Sequence, residues 1–218
     1  MKEETKELQA FNSTEYWQKR YENGGNSGAG SYGHLCQFKI NYINELIDKN
    51  DIKSVIDWGC GDGNQVDGLD LVQQEHNLTY LGFDVSPIAL YQCRRRHLGR
   101  PWMQFFHTDE YSGQQAELGL SLDVIYHLVE DNVFNAYMRR LCDSSTKYLV
   151  IYSSNSRKVE LPAVHLRERQ FTDWMIHNRP DWQICRISPN EYPYHVLGPA
   201  GSISDFYVYR KVGVMINL

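Results

Sequence analysis

An aspartate followed by glycines at alternate positions carries the chemistry of this chain: Asp57, Gly59, Gly61 and Gly63, inside Ser54-Val55-Ile56-Asp57-Trp58-Gly59-Cys60-Gly61-Asp62-Gly63-Asn64. The β-branched run before Asp57 reads as a buried strand, and the glycines read as the tight turn that ends it. Glycine has no Cβ and tolerates positive φ, so a small ligand can lie there against bare backbone. A second carboxylate, Asp84, closes the next apolar run, Tyr80-Leu81-Gly82-Phe83. Two strand-end carboxylates with a glycine turn between them suit a ligand that carries an amine and a ribose diol. A hydride-transfer dinucleotide site places glycines at the first, third and sixth positions. Here Gly63 is fifth and Asn64 sixth.

The pattern Asp57-x-Gly59-x-Gly61-x-Gly63, followed by Asp84 and a further strand carrying Asp123, resembles the S-adenosylmethionine site of class I methyltransferases. The likeness spans roughly residues 50 to 152 and, more loosely, the whole chain. It implies a Rossmann-like α/β fold: a three-layer sandwich whose seven-stranded sheet is mostly parallel, with the last strand antiparallel. It places Asp57, Gly59, Gly61 and Gly63 around the amino-acid part of S-adenosyl-L-methionine. Asp84 would accept both ribose hydroxyls, Val85 would border the adenine, and Asp109 would accept from the adenine amino group. Related enzymes often begin with a Tyr-Trp-x-x-x-Tyr helix. Tyr16-Trp17-Gln18-Lys19-Arg20-Tyr21 fits that description, so Tyr16, Arg20 and Tyr21 are expected at the methionine end.

Methyl transfer from a sulfonium is an in-line displacement, for which a protein mainly positions the reactants and excludes water. The carboxyl ends of parallel strands face the ligand crevice. A fourth strand over 121–126 therefore puts Tyr126 and His127 near the transferable methyl. His127 is the candidate base, because a histidine titrates near neutrality; the plainer reading is that it packs against the cofactor. His165, Arg167 and Arg169 alternate and, in an extended segment, share one face. That face would suit the phosphate or carboxylate of an acceptor; its plainer reading is an exposed helix entry. Tyr192-Pro193-Tyr194-His195 is either an acceptor wall or a rigid loop. The fourth strand lacks an Asn/Asp-Pro-Pro-Tyr-like end, which counts against amino-group methylation of bases or glutamine. No zinc, Walker or nucleophile-elbow motif is present, and no metal is expected.

Apolar runs alternate with helical patterns, which predicts a mostly parallel sheet covered by helices. Strands are predicted over 53–57, 79–84, 103–107, 121–126, 146–152, 182–188 and 204–210. Helices are predicted over 32–49, from a Ser86 cap with Pro87 behind it, from an Asp131 cap, and from Glu168 to Asn178 before Pro180. Residues 24–33 hold five glycines and read as either a connector or a lid over the cofactor. Residues 1–50 thus form N-terminal helices and a glycine-rich lid, and residues 51–218 the cofactor domain, in one globular unit.

At 218 residues the chain suits one sizeable core. Its formal charge of -5 leaves no electrostatic footprint for nucleic acid. The basic run Arg94-Arg95-Arg96-His97 reads as a solvated helix end. No apolar run approaches a membrane span, and the charged start, Met1 to Glu7, lacks a signal-peptide core. Five scattered cysteines form no Cys-x-x-Cys pair, which fits a reducing cytoplasm. The cysteines thus point to the cytoplasm, and the resemblance implies an enzyme that methylates a small polar acceptor, neutral or anionic, such as a sugar or a phosphorylated metabolite, and releases S-adenosyl-L-homocysteine. The glycine-rich loop also resembles that of methyltransferases of bacterial surface-polysaccharide synthesis. The rival readings are a non-catalytic module that binds the cofactor and regulates a partner, and a nucleic-acid or protein methyltransferase.

Overall fold

Among the described residues, seven strands form one sheet: β1 (Ser54–Trp58), β2 (Thr79–Asp84), β3 (Met103–His107), β4 (Ala116–Leu122), β5 (Ser145–Ser153), β6 (Trp182–Ser188) and β7 (Asp205–Lys211). The structure, a computed structural model, describes residues 11–69, 78–156 and 163–218. The charged start of the chain lies outside them. Strand order is β3-β2-β1-β4-β5-β7-β6. β1 to β5 pair in parallel, and β7 runs antiparallel between β5 and β6. The chain winds outward from β1 through β2 to β3, then crosses back to place β4 against the free side of β1. That reversal opens a crevice at the carboxyl ends of β1 and β4.

Among the described residues, six α-helices accompany the sheet: α1 (Ser13–Glu22), α2 (Gly33–Lys49), α3 (Pro87–Arg96), α4 (Asp131–Asp143), α5 (Phe171–Asn178) and the short α6 (Tyr194–Leu197). Successive strand residues point to opposite faces, so each central strand feeds two cores. Val55, Leu118, Val150 and Val208 pack with Ile40, Ile43 and Leu46 of α2 and Leu90 of α3. Ile56, Leu149, Ile151 and Tyr207 pack with Phe134, Met138 and Leu141 of α4 and Phe171 and Met175 of α5. Each fully buried aliphatic or aromatic side chain contributes about 1.5–3 kcal/mol. The outcome is the three-layer Rossmann-like sandwich, with the last strand antiparallel as expected.

Several boundaries differ from the expectation. The fourth strand covers Ala116–Leu122 rather than 121–126. Asp123 leaves the β region with φ of +60°, and Ile125–His127 form a single 3₁₀ turn. β4 includes Gly119, where a Cβ would lie 1.9 Å from Ser145 Oγ, so close packing of β4 on its neighbour excludes a side chain. Asp131 is the first residue of α4, and Glu130 is its cap. α5 begins at Phe171 rather than Glu168, because the guanidinium of Arg169 is drawn back to Asp131 and the carbonyl of Leu128. At α3 the Ser86 hydroxyl accepts from the Ala89 N–H at 3.3 Å, with Pro87 in the first turn.

Candidate active site

A cavity of about 400 Å³ opens over the carboxyl ends of β1, β2 and β4. The β1 turn forms its floor. Gly59 has φ of +91°, and a Cβ there would meet Val124 at 2.4 Å. Gly61 has φ of +60°, and a Cβ there would meet Ser27 Oγ at 2.2 Å. Both positions demand glycine for conformation and for space. Gly63 turns away from the cavity and lies under Cys93 and His97.

Asp84 lines the cavity at the end of β2 and is only 8 % exposed. Its Oδ2 accepts from Gly61 N–H at 2.9 Å and its Oδ1 from Ser86 N–H at 2.8 Å. Burial raises its pKa above the usual carboxylate range, against the pull of those backbone donors. Val85 beside it also lines the cavity.

Asp57 behaves differently. It is fully buried away from the cavity and accepts from Tyr80 Oη at 2.8 Å. Burial pushes its pKa up to about 7, although the Tyr80 hydrogen bond opposes this. The carboxylate expected at the amino-acid end of the ligand thus faces into the protein, tying β1 to β2. Asp109 also lies outside the cavity lining; its side chain is exposed, and Thr108 occupies the wall instead.

α1 covers one side of the cavity. Tyr16, Trp17, Arg20 and Tyr21 all line it. Tyr21 Oη and Ser27 Oγ share a hydrogen bond of 2.7 Å, and burial raises the tyrosine pKa. Arg20 Nε donates to Asn26 O at 2.7 Å, while the guanidinium stands 5.6 Å from the Trp17 ring centre. Tyr16 stacks on His165 at 4.5 Å, and Trp17 meets His127 edge-on at 4.8 Å. The helix is fastened at its start by Ser13 N–H donating to Glu130 Oε1 at 2.8 Å, and in its middle by a Ser86–Gln18 hydrogen bond.

His127 lines the far wall from the turn after β4. Its Nδ1 lies 3.2 Å from the His165 carbonyl oxygen. A carbonyl only accepts, so Nδ1 carries the hydrogen and the lone pair stands on Nε2. Burial pushes the His127 pKa down to about 4, so the ring is neutral near pH 7. Tyr126 also lines the cavity; its hydroxyl donates to Asp123 Oδ1 at 3.0 Å, and burial raises its pKa far above the usual value.

His165, Arg167 and Arg169 do not share a face. His165 reaches the cavity, but the two arginines brace the β4–α4 connection. Arg167 Nη1 donates to Val129 O at 2.7 Å and lies 3.1 Å from Asp131. Arg169 donates to Leu128 O and Val129 O, each at 2.8 Å through Nη2, pairs with Asp131, and sits over the Phe134 ring. Asp131 is held below the usual carboxylate range, chiefly by Arg169. The two arginines expected to meet an anionic acceptor thus lie outside the cavity lining, engaged with backbone carbonyls and Asp131.

Sequence reasoning passed over three groups here. Asp123, treated only as a strand marker, lines the cavity. Lys39 pairs with it at 2.6 Å from a fully buried position on α2. The segment before β7 contributes Gly201, Ser202 and Ile203 to the wall, beside Tyr194 of α6. The one available signal was an acidic residue interrupting the apolar run from Leu122 to Val124.

A scan against protein-family models and a search of curated proteins returned no match. Solved structures do match in shape. The N-methyltransferase NodS from Bradyrhizobium japonicum WM9, in complex with S-adenosyl-L-homocysteine, superposes with a TM-score of 0.67 at 11% identity, covering 93% of this chain and 100% of that one. The magnesium protoporphyrin IX methyltransferase ChlM from Synechocystis PCC 6803, with bound S-adenosylmethionine, gives 0.64 at 12% identity, over 93% and 99% of the two chains. The methyltransferase domain of a bacterial Hen1 protein, CtHen1-C, gives 0.62 at 17% identity, over 80% and 97%. With β1 and β4 adjacent, β7 reversed and a glycine turn under the cavity, the chain has the Rossmann-like fold of the S-adenosylmethionine-dependent methyltransferases.

Proposed function

We propose that the protein is a methyltransferase that uses S-adenosyl-L-methionine to methylate a small polar acceptor and releases S-adenosyl-L-homocysteine. The observation that carries this reading is Asp84. It is a nearly buried carboxylate at the end of β2, fixed by two backbone N–H groups and facing a cavity floored by Gly59 and Gly61. That arrangement suits a ribose diol beside a tail lying on main chain. Neighbouring folds crystallised with this cofactor or its product support the same reading.

The bound cofactor supplies an activated methyl whose leaving group is already built in. The protein therefore binds, aligns and excludes water. Asp84 receives the ribose hydroxyls, and Val85 borders the base. The outer guanidinium nitrogens of Arg20, whose Nε alone is engaged with Asn26, suit the carboxylate of the tail. Tyr16 and Trp17 shield the reacting region through their contacts with His165 and His127. The neutral His127 ring, held by its Nδ1 hydrogen, presents Nε2 to accept the proton of a hydroxyl acceptor. A sugar hydroxyl is the acceptor we favour, on the likeness of the glycine-rich loop to that of surface-polysaccharide methyltransferases. The cytoplasmic reading is supported by five free cysteines. No described helix is long and apolar enough to cross a membrane.

Calorimetry with S-adenosyl-L-homocysteine tests the core of this reading. Wild type is expected to bind, and Asp84→Ala to bind about a hundredfold more weakly, because two hydrogen bonds to a charged group are lost. Equal affinity in the variant would remove Asp84 from the site. Formation of S-adenosyl-L-homocysteine in the presence of free sugars separates an enzyme from a binding module.

A further inference from the structure

The cavity wall contains a second carboxylate, Asp123, and its setting is costly. Its backbone is left-handed, with φ of +60°. A non-glycine residue there costs on the order of 1 kcal/mol, although aspartate tolerates it better than most. Three donors from three separate elements converge on its side chain. Lys39 Nζ of α2 lies 2.6 Å from Oδ2, and the hydroxyls of Tyr126 and Ser204 donate to Oδ1 at 3.0 and 2.8 Å. Lys39 is 0 % exposed, so its charge depends on Asp123 for a partner. The two donors on Oδ1 use both of its lone pairs, and Oδ2 retains one beside the Lys39 bond.

The geometry of the glycine loop leads a ligand towards this free position. Residues 27–31 run from Gly61, where a Cβ would meet Ser27, to Asp123, where a Cβ on Gly30 would lie 2.7 Å from Oδ2. Val124, the next residue, packs on Gly59. A molecule extending from Asp84 across Gly61 and Gly59 therefore arrives at Asp123. Asp57 is sealed beneath Tyr80, so Asp84 and Asp123 are the carboxylates that line the cavity among the described residues.

We propose that Asp123, fixed by Lys39, receives the ammonium group of the cofactor's amino-acid tail. This rests on the cofactor reading above and assigns one end of it. The signs alternate along the line: Lys39 positive, Asp123 negative, ammonium positive, tail carboxylate negative, Arg20 positive. Each buried charge then has an opposite neighbour, which is the condition for holding charges in a low-dielectric wall.

The test compares two ligands that differ only at that tail: S-adenosyl-L-homocysteine and 5′-methylthioadenosine, which lacks the amino-acid group. Binding is measured by calorimetry on wild type, Asp123→Asn, and the double variant Lys39→Met/Asp123→Asn. The double variant removes both charges, so no lysine is left buried without a partner. Both variants are expected to bind S-adenosyl-L-homocysteine at least about tenfold more weakly and 5′-methylthioadenosine within about twofold of wild type. Parallel loss for both ligands would overturn the proposal, making Asp123 a determinant of cavity shape. No loss for either would also overturn it, leaving Asp123 as a tie between α2 and β7. Wild type that binds neither ligand overturns the cofactor reading itself, a result distinct from both of these.

Discussion

His127 shows how one side chain's surroundings decide its chemistry. In water its ring would be half charged near pH 6.5. Burial lowers its pKa to about 4, and the His165 carbonyl fixes its hydrogen on Nδ1. The proton-accepting form is the deprotonated one, and it prevails at every pH above that value. Turnover governed by His127 is therefore expected to stay level from pH 5 to 8 and to fall as pH drops through about 4. His127→Ala should lower kcat by about a hundredfold while changing S-adenosyl-L-homocysteine affinity far less. A pH–rate profile with its acid limb near 6.5, or full activity in the variant, would retire His127 as the proton acceptor. Asp57 shows the opposite displacement. Its position in the sequence matches a ligand-facing carboxylate, but its partner is Tyr80. Two residues of identical type near two strand ends, Asp57 and Asp84, face opposite ways, one onto Tyr80 and the other into the cavity, and sequence spacing carries no sign of it.

At the scale of elements, the β4–α4 connection decides where the far wall stands. Leu128 and Val129 offer carbonyls to Arg169, Val129 also accepts from Arg167, and Asp131 draws both guanidinium groups together. The alternation of His165, Arg167 and Arg169 was legible, but the backbone acceptors that claim the arginines come from a distant segment. Removing Arg169 strands those carbonyls inside the protein. Arg169→Ala should destabilise the fold by about 2–4 kcal/mol and lower Tm, while leaving the acceptor KM of the folded enzyme unchanged. A raised KM with unchanged Tm would return Arg169 to acceptor binding. β4 was displaced in the sequence reading for a related reason. Asp123-Val124-Ile125-Tyr126 has β-branched and aromatic residues, whereas Ala116-Glu117-Leu118-Gly119 has none. Pairing with β1 and β5 on both sides overrides that preference, and Gly119 is explained only by Ser145 across the strand. β2, β3 and β6 lie over the residues expected of them.

For the whole molecule, the sheet order made the ligand crevice predictable before any side chain was placed. A glycine turn after the first strand and an acidic end on the second are local signals, and they survive folding unchanged. Lys39 was not legible in this way, because a lysine on an amphipathic helix ordinarily reaches water, and here its ammonium is buried between the Asp123 carboxylate and the Tyr152 ring. The cavity gathers segments from α1, the glycine loop, three strand ends and the approach to β7. A ligand filling it should stabilise the native state as a unit. At a free concentration of one hundred times Kd, S-adenosyl-L-homocysteine is expected to add about 2.7 kcal/mol. For a chain of this size that raises Tm by roughly 5–10 °C, read by scanning calorimetry. No shift at saturating ligand would mean that the molecule does not bind the native state.

The cavity's walls come from opposite ends of the described chain, Tyr16 to Ser31 on one side and Gly201 to Ile203 on the other. During synthesis the first of these emerges from the ribosome long before the last. A nascent chain can lay down β1, β2 and the glycine turn yet still lack the wall that closes over them. A chain that stops before residue 201 therefore presents the floor of the cavity without the side that completes it.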